Sequence, residues 1–379
     1  MIKPTPNTCC GCSACVQRCP KQCITMQADG EGFLYPVVNT ELCIDCGFCE
    51  KVCPCLNPSE SQPLRTVQSF EATDVNVRRQ SSSGGAFTLL AEYIVKKGGV
   101  VFGARFDEKW NVMHDYNETF EGLKTFRGSK YVQGVMGDCY CKAEEFLKEG
   151  RDVMFSGTPC QIAGLKHYLR KEYANLLTVD IACHSVPSPL VWQEYLKGIK
   201  KKDITDINFR DKRKGWERYG LSIANNKGGV FFQEHDRNPY MQLFLHGITA
   251  RPTCFDCPVK EGRSGADITL GDCWGISKMV PGYSNVQQGV SLVLCNTEKG
   301  LARATEANVN GHELSYQQIV ANNGGLTMKA KMPKERATFW KAFQSTADKT
   351  RVINQFAKPY LPSIVLRLKL FVSRMLNRK

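Results

Sequence analysis

The chain has 379 residues, 42% of them hydrophobic and 23% charged, which predicts two or three globular domains rather than a disordered chain. Its formal net charge of +13 counts every cysteine as neutral. Cysteines that bind metal as thiolates would lower this charge, so it is only weak support for a nucleic-acid-binding surface. No run of eighteen apolar residues predicts a membrane-spanning helix, and residues 1–12 lack the layout of a signal peptide. We therefore expect a cytoplasmic protein, whose nineteen cysteines indicate metal ligands rather than disulfides.

The first 58 residues contain one cysteine motif twice, with an offset of 34 residues. The motif is C-x2-C-x2-C-x3-C-P, and its cysteines are Cys9, Cys12, Cys15 and Cys19, then Cys43, Cys46, Cys49 and Cys53. In bacterial-type ferredoxins the fourth cysteine of each run ligates the other cluster. We therefore assign Cys9, Cys12, Cys15 and Cys53 to one 4Fe-4S cluster, and Cys43, Cys46, Cys49 and Cys19 to a second. Zinc prefers two separated cysteine pairs around one tetrahedron, which this pattern does not resemble.

Two features accompany this two-cluster ferredoxin motif. Residues 32–38, between the repeats, predict a turn and a strand. Cys10, Cys23 and Cys55 have no place in the ligand scheme, and we interpret them as spare thiols.

A small-residue loop at 81–86 (SSSGGA) follows a polar, proline-bearing linker and precedes an apolar-periodic helix over 87–95. Free amides and the positive end of the helix dipole suit an anion such as phosphate, which makes Ser83, Gly84 and Gly85 candidate contacts. A simple serine N-cap would give the same pattern. Both interpretations stay open.

Residues 98–106 predict a buried strand that enters a hairpin, and no G-x-G-x-x-G follows a strand, so a dinucleotide Rossmann site is not supported. Residues 127–133 (RGSKYVQ) then offer a cation, a hydroxyl and an aromatic ring in one short segment. They are candidate contacts for the phosphate and ring of a flavin, through Ser129, Lys130, Tyr131 and Gln133. A solvated loop is the alternative.

Cys160 follows the strand 152–155 and begins a predicted helix, where the helix dipole favours a thiolate. One interpretation is a nucleophile, as in the Pro-Cys-Gln turn of cytosine-5 methyltransferases, but the glycine-rich cofactor loop of those enzymes is absent from the sequence. The other is a cluster ligand, because Cys183 follows the next strand and Cys254 and Cys257 form a C-x2-C pair. Four thiolates suffice for a third 4Fe-4S cluster. Zinc or buried free thiols remain open.

Two further side chains are candidate catalytic residues. Asp272 lies in a glycine-flanked turn after a predicted strand and could orient a cofactor or a substrate proton, although a turn-capping aspartate is equally compatible. The six histidines show no metal-type spacing, and His184, beside Cys183, is the one that we select for testing.

The C-terminal segment has apolar residues at helical spacing over 361–376, with Arg367, Arg374, Arg378 and Lys379 elsewhere on the predicted surface. Such a basic amphipathic helix suits an anionic membrane surface, a partner protein or packing on its own domain. It is the basis for expecting peripheral contact with the inner membrane face.

Taken in order, the ferredoxin repeat and the motifs at 83–85, 128–133, 157–161, 183–188 and 266–275 resemble those of the coenzyme F-420 hydrogenase/dehydrogenase beta subunit family. The resemblance extends from residue 9 to about residue 330. It implies an α+β chain, in which a two-cluster ferredoxin fold precedes an α/β flavin-binding core. It also implies FAD contacts at the loops 83–85 and 129–131, and a core cluster on Cys160, Cys183, Cys254 and Cys257.

We predict a ferredoxin domain at 1–58, a linker at 59–67, the flavoprotein core in two parts at 68–148 and 149–330, and a helical basic tail at 331–379. With three clusters and a flavin diphosphate the net charge falls to about +5, so no nucleic-acid partner is expected. The predicted function is an oxidoreductase that links the clusters, the flavin and a hydride-type substrate such as reduced coenzyme F-420, with ferredoxin or another redox protein as partner. The alternative is a non-catalytic electron-transfer subunit of a partner enzyme, linked to membrane or surface-polysaccharide synthesis.

Overall fold

The computed structural model describes residues 1–61, 63–199, 203–283 and 286–358. The strands are β1 Ile24–Ala28, β2 Leu34–Val38, β3 Thr66–Phe70, β4 Val100–Phe106, β5 Val112–Asn117, β6 Val153–Gly157, β7 Leu176–Ile181, β8 Ile204–Asp211, β9 Gly220–Asn225, β10 Val230–Glu234, β11 Ile268–Asp272 and β12 Ser291–Cys295. The helices are α1 Ala14–Gln17, α2 Phe48–Lys51, α3 Val75–Gln80, α4 Ala86–Lys96, α5 Cys139–Lys148, α6 Pro159–Leu169, α7 Pro189–Gly198, α8 Pro239–Leu245, α9 Ile276–Met279, α10 Glu298–Glu306, α11 Tyr316–Asn322, α12 Arg336–Ser345 and α13 Lys349–Phe356.

The N-terminal module has the symmetry that its cysteine repeat predicts. Each cysteine run contains one short helix, α1 or α2, and the antiparallel hairpin β1–β2 lies between them in sequence, with Ile24 opposite Val38. The predicted strand between the repeats is confirmed as β2. The module packs on the core, because Ala14 of α1 and Val52 belong to the same buried cluster as residues of α5 and α6.

The core is a seven-stranded sheet in the order β3-β12-β11-β7-β6-β4-β5. Strands β11, β7, β6 and β4 are parallel, whereas β5 and β12 are antiparallel to their neighbours. Strand β3 is antiparallel to β12, so it runs in the same direction as β11. The loops after β3, β4, β6, β7 and β11 therefore all leave from one edge of the sheet, where open α/β sheets bind their ligands.

Helices cover both faces of this sheet, as expected for parallel strands that are almost wholly apolar. The alternation of a strand separates the faces: Val153 and Phe155 of β6 pack with α5 and α6, whereas Met154 packs with α4 and α10. A smaller sheet, β10-β9-β8, encloses a second core with α7, α8, α12 and α13.

The predicted domain boundaries can be placed on these elements. Strand β3 begins at Thr66, inside the predicted linker 59–67, and joins the core sheet. Helices α12 and α13, within the predicted tail 331–379, pack in the second core through Phe339 and Ile353. The predicted amphipathic helix over 361–376 lies outside the described residues. Among the helices of the described residues, none is long and apolar enough to cross a membrane.

Candidate functional site

The first group of predicted ligands surrounds a cavity in the N-terminal module. Cys9, Cys12, Cys15 and Cys53 all line a space of about 280 Å³, so the second run contributes its last cysteine to the first group, as the crossed assignment predicts. Burial raises the pKa of Cys9 to about 11. A buried thiol of this kind ionises only with compensation such as a bound metal.

The second group, Cys19, Cys43, Cys46 and Cys49, lines a separate cavity of the module. Cys46 is exposed, so this cavity lies close to the protein surface. The Cys23 thiol, which has no place in the ligand scheme, lies 3.4 Å from the Cys19 thiol.

The third group comes from three separate segments of the core. Cys160 is the second residue of α6, after the capping box of Thr158 and Gln161, and Cys183 follows β7 at the same edge of the sheet. Cys254 lies in the 3-10 turn Pro252–Asp256 and Cys257 directly follows that turn.

These four thiols are close enough to interact electrostatically with one another. Burial, reinforced by the neighbouring thiols, raises the pKa of Cys183 to about 12 and that of Cys254 well above its usual value. The structure therefore brings together the four core cysteines that the sequence selects, and it keeps their thiols neutral without a metal centre.

The spacing of the thiols bears on which kind of metal group they fit. Four sulfurs on one zinc lie about 3.8 Å apart, since each Zn–S bond is about 2.3 Å. Among the described residues, no three His, Cys, Asp or Glu side chains form a group that could hold one metal ion. The thiols of the N-terminal module line cavities instead, and such a space fits a multi-iron cluster.

Cys10 joins the first group to the third. Cys160 packs against the buried cluster that contains Cys10 and Cys12, and the Cys10 thiol together with burial raises the pKa of Cys160 well above its usual value. Cys12 packs against the same helix, since a Cβ on Gly164 of α6 would lie 3.0 Å from its sulfur. The side chain of Cys10 therefore lies between the first and third thiol groups. This cysteine has no role in the ligand scheme predicted from the sequence.

The two loops predicted to contact a flavin meet each other at the ligand-binding edge. The Ser129 amide donates to the Ser82 hydroxyl at 2.7 Å, and the two hydroxyls are 2.9 Å apart. The Gly84 amide donates to Ser291 Oγ at 3.0 Å, so it is already satisfied by the protein. A Cβ on Gly84 would lie 2.1 Å from the carbonyl oxygen of Phe70, which explains the glycine as a close-packing residue.

Two half-buried lysines supply positive charge beside these loops. Lys130 donates to the carbonyl oxygens of Arg127 and Gly128, and Lys212 donates to three carbonyl oxygens, including that of Ser83 at 3.1 Å. Burial lowers the pKa of each lysine to about 7. Neither ammonium forms an ion pair within the described part of the chain, so the cleft has the charge to accept a diphosphate.

Asp272, a predicted catalytic residue, is engaged by its neighbours. Its carboxylate accepts two hydrogen bonds from Arg210, at 2.6 and 3.1 Å, and a third from Trp216 Nε1 at 3.2 Å. Arg210 also donates to the Tyr131 hydroxyl at 3.2 Å. Asp272 therefore holds a buried arginine and an aromatic side chain in place, at the end of β11, and is not a free carboxylate.

The other predicted site residues lie in two places. Tyr131 stacks on Phe244 with ring centroids 4.6 Å apart, and His184 meets the edge of the same phenylalanine at 5.6 Å. Gln133 lies instead at the junction with the N-terminal module, where its amide donates to the Cys10 carbonyl oxygen at 3.2 Å. Gln133 thus contacts the N-terminal module, whereas the proposed flavin cleft lies at the contact between Ser82 and Ser129.

Sequence reasoning missed Arg210, Lys212 and Arg251. Arg210 follows the buried Phe209 on β8, and strict alternation would place adjacent side chains on opposite faces. The pairing of β8 with β9 shifts register between Asn208 and Asp211, and both Phe209 and Arg210 are buried there. A bulge of this kind re-aims side chains and has no signal in the alternation pattern.

Comparison with known proteins agrees with this arrangement. Residues 150–320 match the family model for the C terminus of the beta subunit of coenzyme F420 hydrogenase/dehydrogenase, and residues 8–57 match the 4Fe-4S dicluster domain. Over residues 150–320 the chain is thus similar to the beta subunits of coenzyme F420 hydrogenase/dehydrogenase. The third cysteine group and Asp272 lie inside this matched range, whereas Ser83 and Lys130 lie between the two matched ranges.

Two individual proteins are similar to this chain. The F subunit of the F(420)H(2) dehydrogenase of Methanosarcina mazei is 23% identical over 227 residues, which are 55% of this chain and 64% of the relative. The chain thus spans less than two thirds of that relative. A structure of the F420-reducing [NiFe] hydrogenase complex from Methanosarcina barkeri contains a chain that is 18% identical, with a TM-score of 0.48, over 76% of this chain and 96% of that one.

Proposed function

We propose that this protein is an iron–sulfur flavoprotein oxidoreductase. In this proposal electrons pass between two ferredoxin-type 4Fe-4S clusters, a third 4Fe-4S cluster in the core, a bound FAD and a hydride-type substrate such as reduced coenzyme F420. The observation that carries the proposal is the packing of the first and third thiol groups at one junction, where Cys160 packs against the buried cluster that contains Cys10 and Cys12. Short separations between cofactors are what electron transfer through a protein requires.

The proposed cluster ligands are the three cysteine groups described above. When bound, 4Fe-4S clusters supply one-electron transfer at potentials set by burial and by hydrogen bonds near sulfur. Thiols of the first and third groups are buried or half-buried, so the protein would shield their clusters from water. The second group has the exposed Cys46, so its cluster would lie nearest to an external donor or acceptor.

The proposed flavin site is the cleft at the carboxyl edge of the core sheet. FAD, when bound, supplies the exchange between a two-electron hydride and single electrons. Lys130 and Lys212 would hold its diphosphate, because burial leaves their charges poorly solvated, and in the described residues Asp206 and Asp272 act on them only from beyond ion-pair distance. Tyr131 lies next to this positive charge and is fixed by Phe244 and Arg210, so it would limit where the ring system lies.

Cofactor content tests this proposal. Anaerobically reconstituted protein is expected to contain about twelve irons and one FAD per chain. The Cys160→Ser/Cys183→Ser variant should lose about four irons, and Cys141→Ser is the control because its half-buried thiol belongs to none of the three groups. Retention of about twelve irons by the double variant would contradict the third cluster. Absence of FAD from the fully loaded protein would contradict the flavin.

A non-catalytic electron-transfer subunit is the second candidate, and the similarity to a protein named as a dehydrogenase subunit favours it. Stopped-flow mixing of the holoprotein with reduced coenzyme F420 separates the two candidates. Direct bleaching of the flavin absorbance supports the oxidoreductase. Reduction that occurs only after a partner protein is added supports the electron-transfer role.

A further inference from the structure

Arg251 is a fully buried arginine at the junction between the N-terminal module and the core. Its guanidinium donates to the carbonyl oxygen of Cys9 at 2.7 Å, to Gln133 Oε1 at 2.9 Å and to the carbonyl oxygen of Leu34 at 3.0 Å. It also lies 4.1 Å from the centre of the Tyr35 ring. All three hydrogen-bond acceptors are neutral, so they bond the guanidinium but do not neutralise its positive charge.

The other well-buried arginines at this site have carboxylate partners. Arg210 pairs with Asp272, and Arg336, at the same junction, pairs with Glu31. Arg251 has no such partner among the described residues. Since a guanidinium stays protonated in proteins, its burial without a counter-charge is strongly unfavourable. The junction therefore favours an anion that the chain itself does not supply.

The position of the guanidinium indicates where that anion would lie. The Arg251 side chain donates to the carbonyl oxygen of Cys9 in the first group, and the Arg251 carbonyl oxygen accepts a hydrogen bond from the amide of Cys254 in the third group at 2.9 Å. A Cβ on Gly11 would lie 2.9 Å from Arg251 Nη1, so the guanidinium packs against the first cysteine run. Arg251 therefore contacts residues of both cysteine groups.

We propose that Arg251 is the counter-charge shared by the first ferredoxin cluster and the core cluster, and that it raises their reduction potentials. The inference rests on the proposed function. An oxidised 4Fe-4S cluster with four thiolates carries a charge of about −2 and gains one electron, without a proton, on reduction. The fixed positive charge attracts the more negative reduced state more strongly, so it favours electron entry at this junction.

Redox titration of the loaded protein, followed by EPR, tests the inference with three forms of the chain. Arg251→Gln removes the charge and should lower the equilibrium constant for reduction of at least one of the two junction clusters tenfold or more, which is about 59 mV for a one-electron couple. Arg251→Lys keeps the charge and should retain most of the wild-type potential. The cluster of Cys19, Cys43, Cys46 and Cys49 is the internal reference, because its thiols line a separate cavity and none contacts Arg251.

The Glu31→Gln/Arg336→Gln double variant is the matched control. It removes another arginine contact between module and core, since Arg336 bonds both Glu31 and the carbonyl oxygen of Ala250, but it leaves the net charge unchanged. Its potentials should equal those of the wild type.

Each outcome decides between a charge role and a structural one. Wild-type potentials in Arg251→Gln, or equal shifts in Arg251→Gln and Arg251→Lys, would overturn the inference while the proposed function stands. If Arg251→Gln fails to load its junction clusters, normal loading and potential in Arg251→Lys would support the charge role, and failure of both variants would overturn it. Failure of the wild-type chain to load clusters would instead contradict the proposed function.

Discussion

The N-terminal module and the proposed flavin cleft differ in the sequence distance between the residues that form them. The first two thiol groups come from residues 9–53, and both groups follow from one repeated motif. The cleft brings together Ser82, Lys130, Lys212 and Asp272, which are contributed by four distant segments. Local spacing thus specifies the first site, whereas the order of strands in the sheet specifies the second.

The largest expected effect concerns the crossed ligand sets of the module. If Cys53 ligates the first cluster, Cys9→Ser/Cys53→Ser removes two ligands of one cluster and should lose about four irons. Cys43→Ser/Cys53→Ser then damages both clusters and should lose about eight. Iron analysis and EPR after anaerobic reconstitution measure the loss. The reverse order of the two variants would show that the sets are not crossed.

The proposed core cluster lies between these two extremes of predictability. Cys160, Cys183 and the pair at Cys254 and Cys257 could be selected from the sequence because each follows a predicted strand or forms a C-x2-C pair. Their grouping depends on tertiary contacts between segments almost a hundred residues apart. The sequence could not reveal that Asp272 binds Arg210. The bulge in β8 turns the Arg210 side chain into the buried position where it contacts Asp272, and strand alternation gives no sign of such a bulge.

The glycine loop shows a similar limit. The motif at 83–85 predicts free amides for a phosphate, but the Gly84 amide is bonded to Ser291 and the loop is packed on β3 and β12. Nothing in the local sequence indicates that Ser291, about two hundred residues later, accepts this bond. The positive charge that we propose for the diphosphate comes instead from Lys212, which lies in a charged run that a solvated surface loop would equally explain.

A substitution at Gly84 gives the next largest effect and tests whether the cleft depends on this packing. Gly84→Ala places a Cβ 2.1 Å from a backbone oxygen, so we expect destabilisation by about 2–3 kcal/mol and loss of bound FAD. Gly128→Ala is the control, because its Cβ meets nothing within 4 Å and only the positive φ adds a cost of about 1 kcal/mol. Chemical denaturation and flavin absorbance are the measurements. Equal effects of the two variants would show that close packing at Gly84 is unimportant.

The smallest predicted effect is a pH dependence that separates the cleft from the cysteine module. Burial lowers the pKa of Lys212 from 10.5 to about 7, so between these values the unfolded chain binds more protons than the folded one and stability rises with pH. Cluster-loaded, flavin-free protein should therefore gain about 2 kcal/mol from this lysine between pH 7 and 9, measured by urea denaturation. Lys212→Met should remove that gain, and bound FAD should reduce it, because a diphosphate favours the charged lysine. A gain that survives both changes would place the titrating group outside the cleft.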